Sequence, residues 1–192
     1  MGRISQVLLT NDPREVFHLG LVTLGYSGNS TDPKELEQAY ENLRKLMPNV
    51  RVFNSDSPKE PYLTGEVALG MIWNGEAYMA AQENPAIRYI YPSEGVAVWM
   101  DSMVIPKGAR NVDNAHAFIN FVLQPNVAKV ISEEIGYSSP NGAARKLMDE
   151  AVRGNRTAYP NRADLKNSEF QIDVGEAITL YEQYWEKLKV NR

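Results

Sequence analysis

At 192 residues the chain is long enough for one domain or one and a half. Its 43% hydrophobic and 23% charged residues are those of a globular protein and lack the low-hydrophobicity, high-charge signature of disorder. A net charge of −4 with no long basic run speaks against a nucleic-acid partner, and the lack of cysteine removes disulfides, thiolate metal sites and cysteine nucleophiles.

The opening residues 1–6 carry no apolar run or cleavage site of an export signal, and no apolar stretch approaches the ~20 residues of a membrane span. Val7 to Thr10 reads as a short buried strand. Asn11-Asp12-Pro13 then opens a helix, since Asn and Asp cap free backbone donors and Pro suits the first helical position. Val16, Phe17, Leu19, Leu21 and Leu24 supply its apolar side, and Gly25 ends it. Thr31-Asp32-Pro33 starts a second helix, with Leu36, Ala39, Tyr40, Leu43 and Leu46 at three- and four-residue steps up to Pro48. Arg51 to Phe53 predicts a strand and residues 54–61 a polar loop. Val67 to Trp73 is a near-continuous apolar run, as expected of a strand covered on both faces. A helix over Ala77 to Gln82 follows, then strands at Ile87–Ile90 and Val96–Ile105. From Val112 the pattern is helical, with one stripe of Ala115, Phe118, Ile119, Val122 and Leu123 and a second of Val127, Val130, Ile131 and Ile135. A loop spans 136–142, and a last helix, about Val174 to Leu188, carries Tyr181, Tyr184 and Trp185. Strands alternating with helices indicate an α/β architecture.

The two histidines, His18 and His116, sit apart on helical stripes with no metal spacing. No phosphate loop, nucleophile elbow or His-Glu-x-x-His motif occurs, so neither a metal nor a cofactor is expected. Asp12 and Glu15, three residues apart at a helix start, share one face. The helix dipole there favours their ionised forms, and plain capping is the competing explanation. Arg14 between them points elsewhere on the helix. Trp99-Met100-Asp101 would project indole and carboxylate to the same side of a strand. That pairing suits an ammonium group, which a ring face attracts and a carboxylate hydrogen-bonds. Trp73 ends a strand just before Asn74-Gly75, where strand carboxyl ends form ligand crevices. Core packing competes with ligand contact at both tryptophans, and Trp185, on a stripe with Tyr181 and Leu188, reads as packing. Paired carboxylates also admit an acid–base hydrolase such as a glycosidase, although two ionised groups leave no raised-pKa acid.

Several stretches together resemble the spermidine/putrescine-binding family of bacterial polyamine ABC transporters. They are Leu-Leu-Thr-Asn-Asp-Pro-Arg-Glu-Val-Phe (8–17), Gly-Glu-Val-Ala-Leu-Gly-Met-Ile-Trp-Asn-Gly (65–75), Val-Trp-Met-Asp-Ser (98–102), Ile-Gly-Tyr (135–137) and Gln-Ile-Asp-Val-Gly (171–175). The resemblance implies a periplasmic-binding-protein-like (type II), hinged two-lobed α/β fold closing over an extended polyamine and working with a membrane permease in the periplasm. It implies ligand contacts at Asp12, Glu15, Trp73, Trp99, Asp101, Tyr137 and Gln171. A solute-binding protein rather than an enzyme is expected, and another small cationic or polar solute is the alternative cargo. The match covers the C-terminal portion of the family, with the N-terminal part of the first lobe lying ahead of Val7 in its members. Residues 1–101 and 149–192 are then expected in the second lobe and 102–148 in the first. Without its usual cover the stripe of Phe118, Ile119, Val122 and Leu123 is expected to drive self-association or domain swapping.

Overall fold

The computed structural model describes residues 6–190. The expectation about an export signal bears on residues 1–6, most of which lie outside them. Strand β1 (Val7–Leu9) is central, and Leu8 and Leu9 are fully buried. It runs into α1 (Pro13–Val22), a loop, α2 (Pro33–Leu46) and a single 3₁₀ turn (Met47–Asn49), and the chain returns through β2 (Val50–Phe53). A one-turn helix α3 (Glu60–Leu63) leads to β3 (Leu69–Gly70) and α4 (Asn74–Glu83). The three strands form a parallel sheet of order β2-β1-β3, with Val7 opposite both Val50 and Leu69. The crossovers leave β1 toward β2 on one side and return to β3 on the other. A crevice therefore opens between the carboxyl ends of β1 and β3, where α1 and α4 begin.

Both early helices start where their caps predict. Asp12 Oδ1 accepts the Glu15 amide at 2.9 Å, Asp32 Oδ1 accepts the Lys34 amide at 2.8 Å, and each cap is followed by proline. Their apolar stripes meet one another and the last helix, α9 (Ile178–Val190), which a 3₁₀ turn (Gly175–Ala177) precedes. Phe17 lies edge-on to Tyr181 at 5.5 Å between ring centroids, and Trp185 edge-on to Phe53 at 5.0 Å, so Trp185 is core as its stripe indicated. Burying each such side chain contributes roughly 1.5–3 kcal/mol.

The remaining elements are β4 (Ala97–Val98), α5 (Val112–Val122), α6 (Pro125–Ile135), α7 (Gly142–Leu147), α8 (Glu150–Arg153) and β5 (Glu169–Phe170). β4 and β5 pair in parallel, Val98 opposite Phe170. A smaller buried cluster, Met148, Ala158 and Tyr159, holds this half together. No helix among the described residues is long and apolar enough to cross a membrane.

The strand expectations need correction. The 67–73 run is strand only at Leu69–Gly70, and Leu69 is 69% exposed on the sheet edge, not covered on both faces. Gly70 is required there, since a Cβ would lie 2.1 Å from the Leu8 carbonyl oxygen. Residues 87–90 form no ladder, and 96–105 pairs only at Ala97–Val98, with Met100 and Val104 largely exposed. Apolar alternation cannot make a strand where no neighbour accepts its hydrogen bonds. Helix α3 begins inside the expected loop, and α7 and α8 were not anticipated.

Candidate functional site

The crevice at the strand ends is built from two short segments. Glu15 sits in the first turn of α1, just beyond β1, and Trp73 caps α4, just beyond β3. Trp73 is thus a helix cap and not the end of a strand. The Trp73 Nε1–H donates to Glu15 Oε1 at 2.8 Å. This bond holds the indole by its edge against the Glu15 carboxylate. Burial pushes the Glu15 carboxyl above its ordinary value, the Trp73 bond works against the rise, and the charge of Asp12 adds to it. Desolvation thus works against the ionised form that the helix dipole favours at position 15. Capping describes Asp12, whose Oδ1 is engaged by the Glu15 amide, but Glu15 turns its side chain to Trp73. Arg14 does point elsewhere, donating to Asn29 Oδ1 and the Ile172 carbonyl, both at 3.0 Å.

On the other side Trp99 and Asp101 follow β4 directly. The strand ends at Val98, so their shared direction is not a strand periodicity. Trp99 is 39% exposed and meets Tyr137 edge to face, centroids 6.4 Å apart with planes at 73°. Asp101 is exposed. Tyr137 is held in place at several points. Its carbonyl accepts the Ser132 hydroxyl. Its ring lies so close to the backbone at Gly75 that a Cβ there would come within 2.3 Å. Burial pushes its hydroxyl up to about 12, with the charges of Glu76 and Asp101 adding to the shift. The Gln171 backbone amide donates to the Val98 carbonyl at 2.9 Å, and its side chain is half-buried just past the β4–β5 pair.

Tyr89 joins the two sides. Burial raises its hydroxyl to about 12, with Glu15's charge contributing, and Tyr89 in turn acts on Tyr137. A line of electrostatic neighbours thus runs Glu15–Tyr89–Tyr137–Asp101, flanked by the indoles of Trp73 and Trp99. Tyr89 and Glu76 were missed in the sequence. Tyr89 was read as a strand residue, although the Tyr89/Tyr91 pair, edge-on at 4.9 Å, was a signal of aromatic packing. Glu76 stands three residues after Trp73, the same spacing that drew attention to Asp12 and Glu15. No group of three or more His, Asp or Glu side chains suited to a metal occurs among the described residues.

In a parallel α/β sheet, the carboxyl ends of the strands are where small ligands are commonly held. The chain belongs to the bacterial extracellular solute-binding protein family, whose model matches residues 2–157. Its relatives are solute-binding proteins rather than enzymes. It is 54% identical over 186 residues to the spermidine/putrescine-binding periplasmic protein of Escherichia coli K12, which covers 97% of this chain and 53% of that protein. It is 40% identical over 185 residues to spermidine/putrescine-binding periplasmic protein 1 of Haemophilus influenzae, covering 96% and 51%. Among solved structures, a putative spermidine/putrescine ABC transporter from Listeria monocytogenes superposes with a TM-score of 0.92 at 35% identity, over 98% of this chain and 58% of that one. The chain spans about half the length of the curated relatives it matches.

Proposed function

We propose that this chain forms one wall of a cleft that binds spermidine or putrescine, as part of the periplasmic solute-binding component of an ABC importer that delivers its cargo to a membrane permease. The observation that carries this reading is the Trp73–Glu15 hydrogen bond, which fixes a carboxylate at the edge of an indole ring. A polyamine alternates ammonium groups with methylenes, and the site alternates carboxylates with aromatic faces. One ammonium is taken by Glu15 with Asp12 beside it, another by Asp101, and Trp73, Trp99 and Tyr137 lie along the methylene chain with Gln171 adjoining. Cation–π contacts are worth ~0.5–2 kcal/mol each, so affinity depends on several acting together.

In this reading residues up to 101 and from 149 onward belong to one lobe and 102–148 to the other. The buried cluster joining residues 9–50 to 174–188 supports placing the two ends of the chain in one body. Exposure of the α5 stripe supports self-association or exchange of this segment between copies.

Calorimetric titration with putrescine and with spermidine tests the assignment. Trp99→Ala is expected to weaken binding about 2- to 30-fold, and Asp101→Asn about 10- to 100-fold through the lost charge-assisted hydrogen bond. Absence of heat at millimolar polyamine would remove the function from this chain and leave its family membership standing.

A further inference from the structure

Asn29, in the loop between α1 and α2, engages β5 and the residues just after it with both ends of its side-chain amide. Its Oδ1 accepts the Ile172 amide at 3.1 Å, and its Nδ2 donates to the Phe170 carbonyl at 2.9 Å and to Glu169 Oε2 at 3.3 Å. The C=O of one residue and the N–H two residues on are the pair that a neighbouring parallel strand would engage. Gln171, between them, faces the other way and donates to Val98 O on β4. One amide side chain thus stands in for a missing strand, and Gln171 is fastened on both edges.

Arg14 completes the fastening. Its Nη2 donates to the same Asn29 Oδ1 and its Nη1 to the Ile172 carbonyl, while its guanidinium carbon lies 5.0 Å from the centre of the Tyr181 ring. Ser27 adds a hydrogen bond to Glu169 at 2.7 Å. Arg14 is the residue before Glu15, and β5 is the ladder partner of the strand that leads into Trp99 and Asp101. The clamp therefore ties the Glu15 end of the crevice to the Asp101 end.

We propose that Asn29 and Arg14 are positioning residues that set specificity, fixing the separation of the two anionic ends and hence the length of diamine the cleft prefers. The proposal rests on the polyamine reading given above. A rigid separation favours the diamine whose nitrogen spacing matches it and penalises shorter and longer ones, whereas a slack separation treats them more evenly. Both residues act through the 170–172 backbone.

The test uses the full chain and its Asn29→Ala and Arg14→Met variants, titrated calorimetrically with 1,3-diaminopropane, putrescine, cadaverine and spermidine. Amide exchange at Ile172 is followed by NMR without ligand. In both variants the ratio of strongest to weakest affinity is expected to fall about twofold or more, and Ile172 exchange to accelerate in Asn29→Ala. If Asn29→Ala fails to fold, Asn29→Ser takes its place, removing both Nδ2 donations without adding a charge beside Glu169. Equal weakening of every diamine, with the ratio unchanged, would overturn the specificity role. If the unsubstituted chain gives no heat with any diamine, the polyamine reading falls, and the clamp is judged by exchange alone. Faster Ile172 exchange supports it, and an unchanged rate rejects it.

Discussion

At Glu15 burial and the neighbouring Asp12 charge both work against ionisation, and the Trp73 hydrogen bond works for it. The carboxyl has an acidity weakened by desolvation, so the folded protein holds the proton to a higher pH than the unfolded chain does. The folded state then binds more protons than the unfolded one between the ordinary carboxylate value and the raised one. Stability contributed at this site falls as pH rises through that window, and the penalty is complete above it. An ammonium beside Glu15 reverses the balance, because it favours the ionised form. Polyamine affinity is therefore expected to rise with pH through the same window, with up to one proton released per ligand bound. Glu15→Gln, whose amide oxygen can still accept the Trp73 Nε1–H, should flatten this pH dependence and weaken binding at neutral pH. It should leave the ligand-free protein as stable as before or slightly more so. Calorimetry in buffers of different ionisation enthalpy counts the released proton. Proton release that persists in Glu15→Gln would assign it to another group.

At the scale of elements, the first turn of α4 does what no single side chain could. Gly75 lets the Tyr137 ring rest against the helix backbone. Gly75→Ala sets two effects in competition. Alanine in a helix gains up to about 1 kcal/mol over glycine, whereas forcing an atom into a filled space costs ~1–3 kcal/mol. With Cβ only 2.3 Å from the ring the cost prevails, so Tyr137 is expected to move off α4 and away from Trp99. The expected signs are an altered near-UV circular dichroism spectrum, weaker polyamine binding and little gain in thermal stability. An unchanged spectrum with unchanged affinity would show that Tyr137 is not held by this contact. The helices on which these contacts depend were legible in the sequence because their signals are local. Asp12-Pro13 and Asp32-Pro33 cap α1 and α2 whatever lies around them. The strands were not, since pairing depends on a partner elsewhere in the chain. Ile87–Ile90 and most of Val96–Ile105 have strand-like composition but no ladder, and Tyr89 was hidden within one of these misread runs.

For the whole molecule the two halves of the chain differ in how well they are covered. The α1–α2–α9 side closes around Phe17, Leu36 and Tyr181, all fully buried, and its periodicity made that core readable in advance. The α5 side does not close, for no residue of α5 is buried, and Phe118 and Phe121 are 61% and 53% exposed. Three residues apart, they share one helix face. The periodicity there indicated an apolar helical stripe, and the helix is present with that stripe uncovered. Apolar surface of this kind favours association, at roughly 1.5–3 kcal/mol for each large side chain removed from water. Sedimentation velocity is expected to show a mass that grows with protein concentration. Phe118→Ser with Phe121→Ser should return the chain to a monomer. Because both side chains are largely exposed, that double variant should alter thermal stability at low concentration by only about 0.5 kcal/mol per site. If the substitutions instead unfold the chain, the face is packed internally and not available to a second copy. A monomer mass that stays constant across the micromolar range would likewise end the self-association proposal.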